Sequence, residues 1–210
     1  MRLLGKFGMA AGLAAGLAMV PATVDAAVFT FNTCVTGDCG NVTGSVVVTV
    51  TDSVTDTNDL NFAVQNNTNG DLDYLRFLNT PLPTGTAEVT NFVSTVGSVG
   101  GATASFGAGT DSSLAYNTDI QFPNPANQRF NAGEAVSFTL GTSTNFNLNV
   151  SSFSPVLAHV ISLSIGGQSV KLTTGGGGSQ GGGGQTVPEP ASMALFGLAA
   201  LAAARRARRS

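Results

Sequence analysis

The sequence predicts an all-β fold, a single antiparallel β-sandwich domain of jelly-roll-like type. Three observations predict it. Short segments alternate apolar and polar residues with period two, turn-forming Gly, Asn and Pro residues separate them, and no 11-residue window of the body has a helical stripe. Apolar runs at the two ends predict an N-terminal signal helix and a short C-terminal transmembrane helix outside this domain.

Period-two alternation marks four strands most clearly. Each has an apolar face suited to a core and a hydroxyl or amide face suited to water, as expected for an antiparallel sheet covered on one side. The apolar residues of these predicted strands are Val42, Val46, Val48 and Val50; Leu60, Phe62 and Val64; Val136, Phe138 and Leu140; and Phe146, Leu148 and Val150.

Turn chemistry predicts how some strands connect. Asn69-Gly70 favours the positive φ angles of a type I′ turn, so it predicts a hairpin between the strands on either side. Gly166-Gly167 predicts a second hairpin between residues 156–165 and 168–172. The Gly-rich segment 96–109 fits either a weak edge strand or a mobile loop.

The N-terminus has the pattern of a cleaved secretion signal. Arg2 and Lys6 form a positive start, and an apolar stretch of 14 residues follows at 7–20. As a helix this stretch rises only about 21 Å, short of the ~30 Å hydrocarbon core, which argues against a retained membrane helix. Small residues before the junction place cleavage between Ala26 and Ala27.

The C-terminus combines a stiff motif, an apolar helical run and a basic cluster. A proline suits the first turn of a helix, the apolar run can enter a bilayer, and arginines remain on the cytoplasmic side. The body must then lie outside the cell. The motif is Val187, Pro188, Glu189 and Pro190, the run is 191–204, and the basic tail contains Arg205, Arg206, Arg208 and Arg209.

This order of parts behind a signal peptide resembles the PEP-CTERM sorting signal of Gram-negative bacteria, over about the last 24 residues. The resemblance implies that a membrane protease, exosortase, recognises Pro188, Glu189 and Pro190 and removes the tail. It also implies export to the cell surface or extracellular matrix after transient inner-membrane anchoring, often in organisms that make exopolysaccharide. The alternative is a plain single-pass anchor.

A glycine-rich linker separates body and tail. Eight of the 14 residues at 173–186 are Gly and no apolar side chain interrupts them, so they predict a flexible tether about 20 Å long on average. The predicted organisation is a signal peptide at 1–26, the sandwich at 27–172, the linker at 173–186 and the sorting signal at 187–210.

The charge of the body excludes nucleic acid as a partner. Between residues 27 and 186, ten carboxylates face three basic side chains, a net charge of −7. Such a body repels a phosphate backbone.

Cys34 and Cys39 are the two cysteines of the chain. In an exported protein they predict a disulfide that closes a small loop and stabilises by about 2 kcal/mol. A redox or metal pair is the alternative, but redox motifs have two intervening residues and a zinc site needs more ligands.

No catalytic residue and no cofactor is predicted. The single histidine, His159, lies in a predicted strand without an assignable nucleophile, and we expect it to be hydrogen-bonded at the rim or to face solvent.

Two groups of carboxylates offer oxygen ligands for a structural Ca²⁺, although Asn-Gly-Asp is also ordinary turn chemistry. Paired carboxylates also suit glycoside hydrolysis, but aromatic platforms for sugars are scarce. The carboxylates are Asp52, Asp56 and Asp59, then Asp71 and Asp73.

Together these patterns predict a non-enzymatic exported protein with a structural or adhesive role at the cell surface or in an exopolysaccharide matrix. The expected partners are signal peptidase and exosortase during export, the inner membrane transiently, and exopolysaccharide. A polysaccharide- or calcium-binding module is the alternative.

Overall fold

The computed structural model describes residues 25–54, 56, 58–144, 146–163 and 168–175. This part of the chain forms ten strands and one 3-10 turn, contains no α-helix, and has only antiparallel strand pairs. The elements are β1 (Ala26–Gly37), β2 (Val46–Asp52), β3 (Leu60–Asn66), β4 (Asp71–Asn79), β5 (Ala87–Val96), β6 (Thr103–Asp111), β7 (Leu114–Gln121), β8 (Ala135–Thr142), the 3-10 turn (Val150–Ser152), β9 (Phe153–Ile161) and β10 (Val170–Thr174).

The prediction of an all-β antiparallel body is therefore confirmed. The predicted signal helix and C-terminal transmembrane helix lie outside the described residues. Within the described ranges, no helix has the length and apolar character needed to cross a bilayer.

One curled sheet contains all ten strands in the order β5-β8-β3-β2-β1-β10-β9-β4-β7-β6. The first strand joins two halves of it, because β1 pairs with β2 through residues 26–31 and with β10 through residues 31–37. Phe31 is the point of change, since it is opposite both Val46 and Thr174. We call the strands from β5 to β2 the first half and those from β10 to β6 the second half.

The two halves pack against each other through phenylalanine rings. The ring centroid of Phe62 on β3 lies 5.8 Å from that of Phe77 on β4 and 5.9 Å from that of Phe153 on β9. Each fully buried phenylalanine contributes roughly 1.5–3 kcal/mol through the hydrophobic effect. All eleven phenylalanines at described positions belong to this core or pack on it: Phe29, Phe31, Phe62, Phe77, Phe92, Phe106, Phe122, Phe130, Phe138, Phe146 and Phe153.

Three of the four alternating segments are strands with the predicted faces. Val42 is the exception, since it lies outside β2 and is half-buried. The other apolar side chains are buried, because consecutive strand residues point to opposite sides of the sheet and one side faces the core. The buried residues are Val46, Val48 and Val50 of β2; Leu60, Phe62 and Val64 of β3; and Val136, Phe138 and Leu140 of β8.

The predicted strand at Phe146, Leu148 and Val150 is wrong. Residues 146–149 have no regular secondary structure and Val150 begins the 3-10 turn. Leu148 and Val150 are nevertheless buried. The backbone of this segment bonds to the β2–β3 loop instead of to a strand, with Leu148 N donating to Asn58 O at 3.1 Å. The alternation therefore marks burial here, but not strand pairing.

The predicted type I′ hairpin at Asn69-Gly70 is also wrong. β3 and β4 do not pair, because β3 lies in the first half and β4 in the second. Neither Asn69 nor Gly70 has a positive φ. The connection is shaped by the buried Asn66 amide, whose Nδ2 donates to Gly70 O at 2.9 Å and to Phe130 O at 3.1 Å. Side-chain bonding of this kind competes with ordinary turn geometry.

Two further predictions concern the second half. Within the Gly-rich segment 96–109, residues 103–109 belong to the edge strand β6, whereas residues 97–102 form a loop between β5 and β6. β9 and β10 pair as neighbours in sequence, with Val170 opposite Val160, so the predicted strand pair is confirmed. The Gly166-Gly167 turn itself lies outside the described residues.

Candidate functional site

Polar and aromatic side chains gather on the outer face of the second half, the face turned away from the core. They come from five strands and include two of the three basic residues of the body, the single histidine and both tyrosines of the chain. We call this group the Arg76 cluster. Its members are Asp73, Tyr74, Arg76, Asp111, Tyr116, Asp119, His159 and Lys171.

Strand alternation and register bring these residues together. On β4, Leu75 and Phe77 enter the core, so Tyr74 and Arg76 point outward. Directly opposite residues share a face, and Arg76 is opposite Asp119 on β7. On the other side of β4, Tyr74 is opposite His159 on β9, which in turn is opposite Lys171 on β10.

Four side chains of the cluster form a continuous stack across three strands. The guanidinium carbon of Arg76 lies 4.1 Å from the ring centroid of Tyr74 and 4.2 Å from that of Tyr116. The ring of His159 covers the Tyr74 ring, with centroids 4.6 Å apart. Cation–π contacts of this kind contribute about 0.5–2 kcal/mol each, more where water is excluded.

The carboxylate of Asp111 is the centre of the hydrogen-bonding network. It receives the Tyr74 hydroxyl at 2.7 Å and contacts both the Arg76 guanidinium and the Lys171 ammonium. Ser112 also donates to it, at 3.2 Å. The β6–β7 hairpin turns directly after Asp111 through Ser112 and Ser113, both at positive φ. The cluster therefore attaches this edge hairpin to β4 and β10.

Opposing influences set the ionisation of Asp111. Burial by itself raises the pKa of this carboxyl, but the hydrogen bonds from Lys171 and Tyr74 and the charge of Arg76 overcome burial and lower the pKa to about 2. Asp111 is therefore a carboxylate at neutral pH. For Tyr74, burial and the hydrogen bond to Asp111 raise the pKa above its ordinary value, so the phenol stays protonated.

Two further carboxylates, those of Asp119 and Asp73, take part in hydrogen bonds at the two sides of the cluster. Asp119 accepts from Arg76 Nε at 3.3 Å and from Gln121 Nε2 at 2.9 Å. On the opposite side, His159 Nδ1 lies 2.9 Å from Asp73 Oδ2. His159 is thus hydrogen-bonded on a strand as predicted, but that strand, β9, lies inside the sheet between β10 and β4 and not at its rim.

The cluster consists of groups that already satisfy one another. The Tyr74 ring contacts both the Arg76 guanidinium and the His159 ring. Gly109 lies against the Tyr116 ring so closely that an added Cβ would come within 2.4 Å of it. The basic side chains of Arg76 and Lys171 are both paired with carboxylates. Such an arrangement is suited to fixing strands to one another, because these side chains already contact or pair with groups on neighbouring strands.

The predicted disulfide is present. Cys34 and Cys39 are bonded to each other, with Cα atoms 5.6 Å apart. They close the end of β1, where Asn41 Nδ2 also donates to Asp38 Oδ2 at 2.7 Å. The described residues contain no free cysteine.

Four of the five carboxylates considered for calcium have other partners, and Asp56 Oδ1 accepts from the backbone of Asn58 at 2.9 Å. Asp71 pairs with Arg129 at 3.2 Å, and Asp73 bonds His159. Asp52 Oδ1 accepts from the backbone of Val150 at 3.0 Å. In the described ranges no three His, Cys, Asp or Glu side chains are placed to hold one metal ion.

One predicted processing site lies at the N-terminal margin of the described residues, and the other lies outside them. Ala26 and Ala27 begin β1, where they are opposite Thr51 and Val50. The sorting residues Val187, Pro188, Glu189 and Pro190 and the basic tail Arg205, Arg206, Arg208 and Arg209 lie outside the described residues.

Comparison with protein families gives one match. The family model of the PEP-CTERM protein-sorting motif matches residues 186–209. The chain carries a PEP-CTERM sorting motif. The PEP-CTERM motif implies an exported protein that exosortase processes in transit through the membrane of a Gram-negative bacterium. No curated protein and no solved structure matches the chain.

Reasoning from sequence missed the Arg76 cluster, whereas it found the PEP-CTERM motif. The motif is contiguous, but Tyr74 and Asp111 are 37 positions apart and Lys171 and Asp111 are 60 apart. One local signal existed, because Tyr74 and Arg76 alternate with Leu75 and Phe77 on one strand.

Proposed function

We propose that the body is a non-enzymatic structural or adhesive module, displayed at the cell surface or within an exopolysaccharide matrix. The PEP-CTERM motif at residues 186–209 carries this proposal, because it directs the chain out of the cell. The Arg76 cluster supports it. The ionic and aromatic groups in that cluster are engaged with one another, which favours a rigid body over a reaction centre.

The proposal assigns the sorting step to particular residues. Exosortase recognises Pro188, Glu189 and Pro190, the apolar run holds the chain in the inner membrane, and the arginine tail keeps its end in the cytoplasm. Signal peptidase cuts between Ala26 and Ala27. The glycine-rich linker keeps the sorting motif accessible while the body is folded.

Replacement of Pro188, Glu189 and Pro190 by alanine tests the sorting step. We expect the variant to remain in the membrane fraction at the mass of the unprocessed tail, whereas the parent protein reaches the surface or medium without it. Gln185→Ala, just outside the matched residues, is the control and should be processed normally. Normal release of the triple variant would contradict the assignment.

Cell cohesion tests the structural role. Deletion of the gene should reduce retention of matrix polysaccharide or cell-to-cell adhesion, and the parent chain should restore it. A chain with the same signals but an unrelated exported body should not. Restoration by that chimaera would show that the body has no structural role.

Polysaccharide or calcium binding is the second candidate function. Calorimetry of the processed protein with the matrix polysaccharide of the producing strain, and separately with Ca²⁺, tests it. The contacts of the Tyr74 and Tyr116 rings with Arg76 favour the structural role, because a ring that binds a sugar by stacking needs an exposed face.

A further inference from the structure

The disulfide at the end of β1 closes a short loop that holds the start of the last strand, β10. We call residues 34–39, which the Cys34–Cys39 bond closes, the disulfide loop. Three consecutive residues of this loop meet three consecutive residues at the start of β10. Two of the contacts are strand pairs, and the third is a backbone hydrogen bond of 3.1 Å from N to O. They are Thr36 opposite Lys171, Gly37 opposite Val170, and Asp38 bonded to Ser169.

Regular pairing between β1 and β10 is interrupted in this region. The register shifts once between Phe31 and Thr33 and again between Cys34 and Thr36. An extra residue of this kind disrupts the ladder locally, so backbone pairing alone holds β10 less firmly here. The second shift lies inside the disulfide loop. The disulfide therefore constrains the part of β1 where the ladder is irregular.

The backbone of the disulfide loop packs directly on the chain that leads into β10. Gly37 has a φ of 98°, a left-handed conformation, and a Cβ at this position would come within 2.2 Å of Ser169 O. So close a contact requires the loop to keep one conformation. A disulfide that closes a small loop restricts the other conformations of that loop.

We propose that the Cys34–Cys39 disulfide is a redox-dependent lock on β10, closed in the exported protein and open when the bond is reduced. β10 has five residues, and the ammonium of its Lys171 contacts the carboxylate of Asp111 in the Arg76 cluster. Opening of the loop therefore loosens β10 first, and the Arg76 cluster through Lys171. The first half of the sheet is not affected directly, because β2 pairs with residues 26–31 of β1, outside the loop.

Cys39 is the accessible half of the bond, because it is exposed whereas Cys34 is half-buried against the core. A thiolate of an external dithiol attacks Cys39 Sγ and forms a mixed disulfide, while Cys34 Sγ leaves as a thiolate and takes up a proton. The second thiol of the dithiol then displaces Cys39. Two electrons and two protons have passed to the protein, and the dithiol has become a disulfide.

The reverse exchange closes the lock. Outside the inner membrane, the disulfide of an oxidised thiol–disulfide carrier accepts the two electrons and two protons of the cysteine pair and becomes a dithiol. The lock therefore closes only after export, which the PEP-CTERM motif implies. This inference goes beyond the proposed structural or adhesive role and does not depend on it.

Hydrogen exchange of backbone amides in the processed protein, before and after reduction with dithiothreitol, tests the inference. We expect exchange in β10 to accelerate at least about tenfold more than exchange in β3 and β8, because those two strands respond only through the stability of the whole fold. Reoxidation after removal of dithiothreitol should restore the original rates. Equal acceleration in all three strands, or none in β10, would overturn the inference.

Two variants provide the controls. Cys34→Ser combined with Cys39→Ser should reproduce the reduced state and show no further response to dithiothreitol. Val35→Ala changes an exposed residue of the same loop and keeps the bond, so its exchange should match that of the parent protein. Because the parent protein is reduced after it has folded, the comparison does not depend on the folding of the double variant. Fast exchange in Val35→Ala without reduction would contradict the role of the bond.

Lys171→Gln tests the connection to the Arg76 cluster. In the parent protein, reduction should also accelerate exchange at the tip of the β6–β7 hairpin, next to Asp111, because Lys171 moves with β10. In Lys171→Gln the hairpin should no longer respond to reduction. An equal response of the hairpin in the two proteins would overturn the proposed link between β10 and the cluster.

Discussion

The hydroxyl of Tyr74 donates a 2.7 Å hydrogen bond to the carboxylate of Asp111, which joins strand β4 to the tip of the β6–β7 hairpin. The hairpin is otherwise attached through β4–β7 backbone pairing and through core side chains such as Phe106 and Ile120. This hydrogen bond contributes more to the free energy of unfolding than one between neutral groups, because its acceptor is charged and largely shielded from water.

Tyr74→Phe removes this hydrogen bond and keeps the ring between Arg76 and His159. We expect a loss of about 1–2 kcal/mol in the free energy of unfolding, measured by urea denaturation. Tyr116→Phe is the matched control, because it changes the other ring stacked on Arg76 and should have little effect. Equal losses in the two variants would show that the Tyr74 hydroxyl has no special role.

The low pKa of Asp111 predicts that the fold loses stability in acid. Its pKa is about 2 in the folded protein against an ordinary value of 3.8, so its contribution to stability is complete above pH 4 and is lost as the pH falls from 4 towards 2. Asp111→Asn should lower stability at pH 7 and flatten the dependence of the unfolding free energy on pH in that window. An unchanged slope between pH 4 and pH 2 would contradict the role of Asp111.

Replacement by leucine should change the stability of the fold in opposite directions at two buried asparagines. Both polar atoms of the Asn79 side chain are buried without a hydrogen-bond partner in the described part of the chain. Asn79→Leu should therefore stabilise by about 1–2 kcal/mol, since it removes an unsatisfied amide and keeps the same branched arrangement of heavy atoms. The bonds from the Asn117 side chain to the backbone of Asn79 are retained, because they do not involve the replaced atoms.

Asn66→Leu is the counterpart. Asn66 Oδ1 accepts from Thr68 Oγ1 at 2.7 Å and from Thr68 N at 3.1 Å, in addition to the two bonds that its Nδ2 donates. We expect a loss of about 2–4 kcal/mol in thermal or chemical unfolding. A stabilised Asn66→Leu variant would contradict the view that this amide shapes the connection from β3 to β4.

The backbone conformation of the turn between β6 and β7 predicts that a glycine at position 113 increases the stability of the fold. Ser113 has a φ of 67°, a left-handed conformation that strains residues with a Cβ. Ser113→Gly should stabilise by about 0.5 kcal/mol, since glycine adopts this conformation freely but loses more chain entropy. Ser105→Gly, within β6, should instead destabilise. Thermal unfolding of both variants gives the comparison.

The sequence could predict which side chains enter the core, but not which strands pair. The alternation at Leu60, Phe62 and Val64 predicts burial, because it can be recognised from the residues of one strand alone. Pairing across the sheet joins residues as distant as Phe31 and Thr174, and no local pattern records that proximity. The failed hairpin at Asn69-Gly70 has the same origin, because the amide of Asn66 reaches Phe130, 64 positions away.

The Arg76 cluster illustrates this limit for a site. Its members come from strands β4, β6, β7, β9 and β10, so their grouping follows from strand order. The PEP-CTERM motif could be identified because its recognition by a protease requires a contiguous stretch of chain. Sequence therefore revealed that the protein carries a sorting motif for export and left the arrangement of the body to the structure.

The first and last strands of the body, β1 and β10, are neighbours in the middle of the sheet. A chain that emerges through a narrow pore from its N-terminus can begin to pair β1 with β2, but the slot between β1 and β9 stays empty until nearly all of the body has emerged. Completion of the sheet between β1 and β9 therefore requires the last strand of the body.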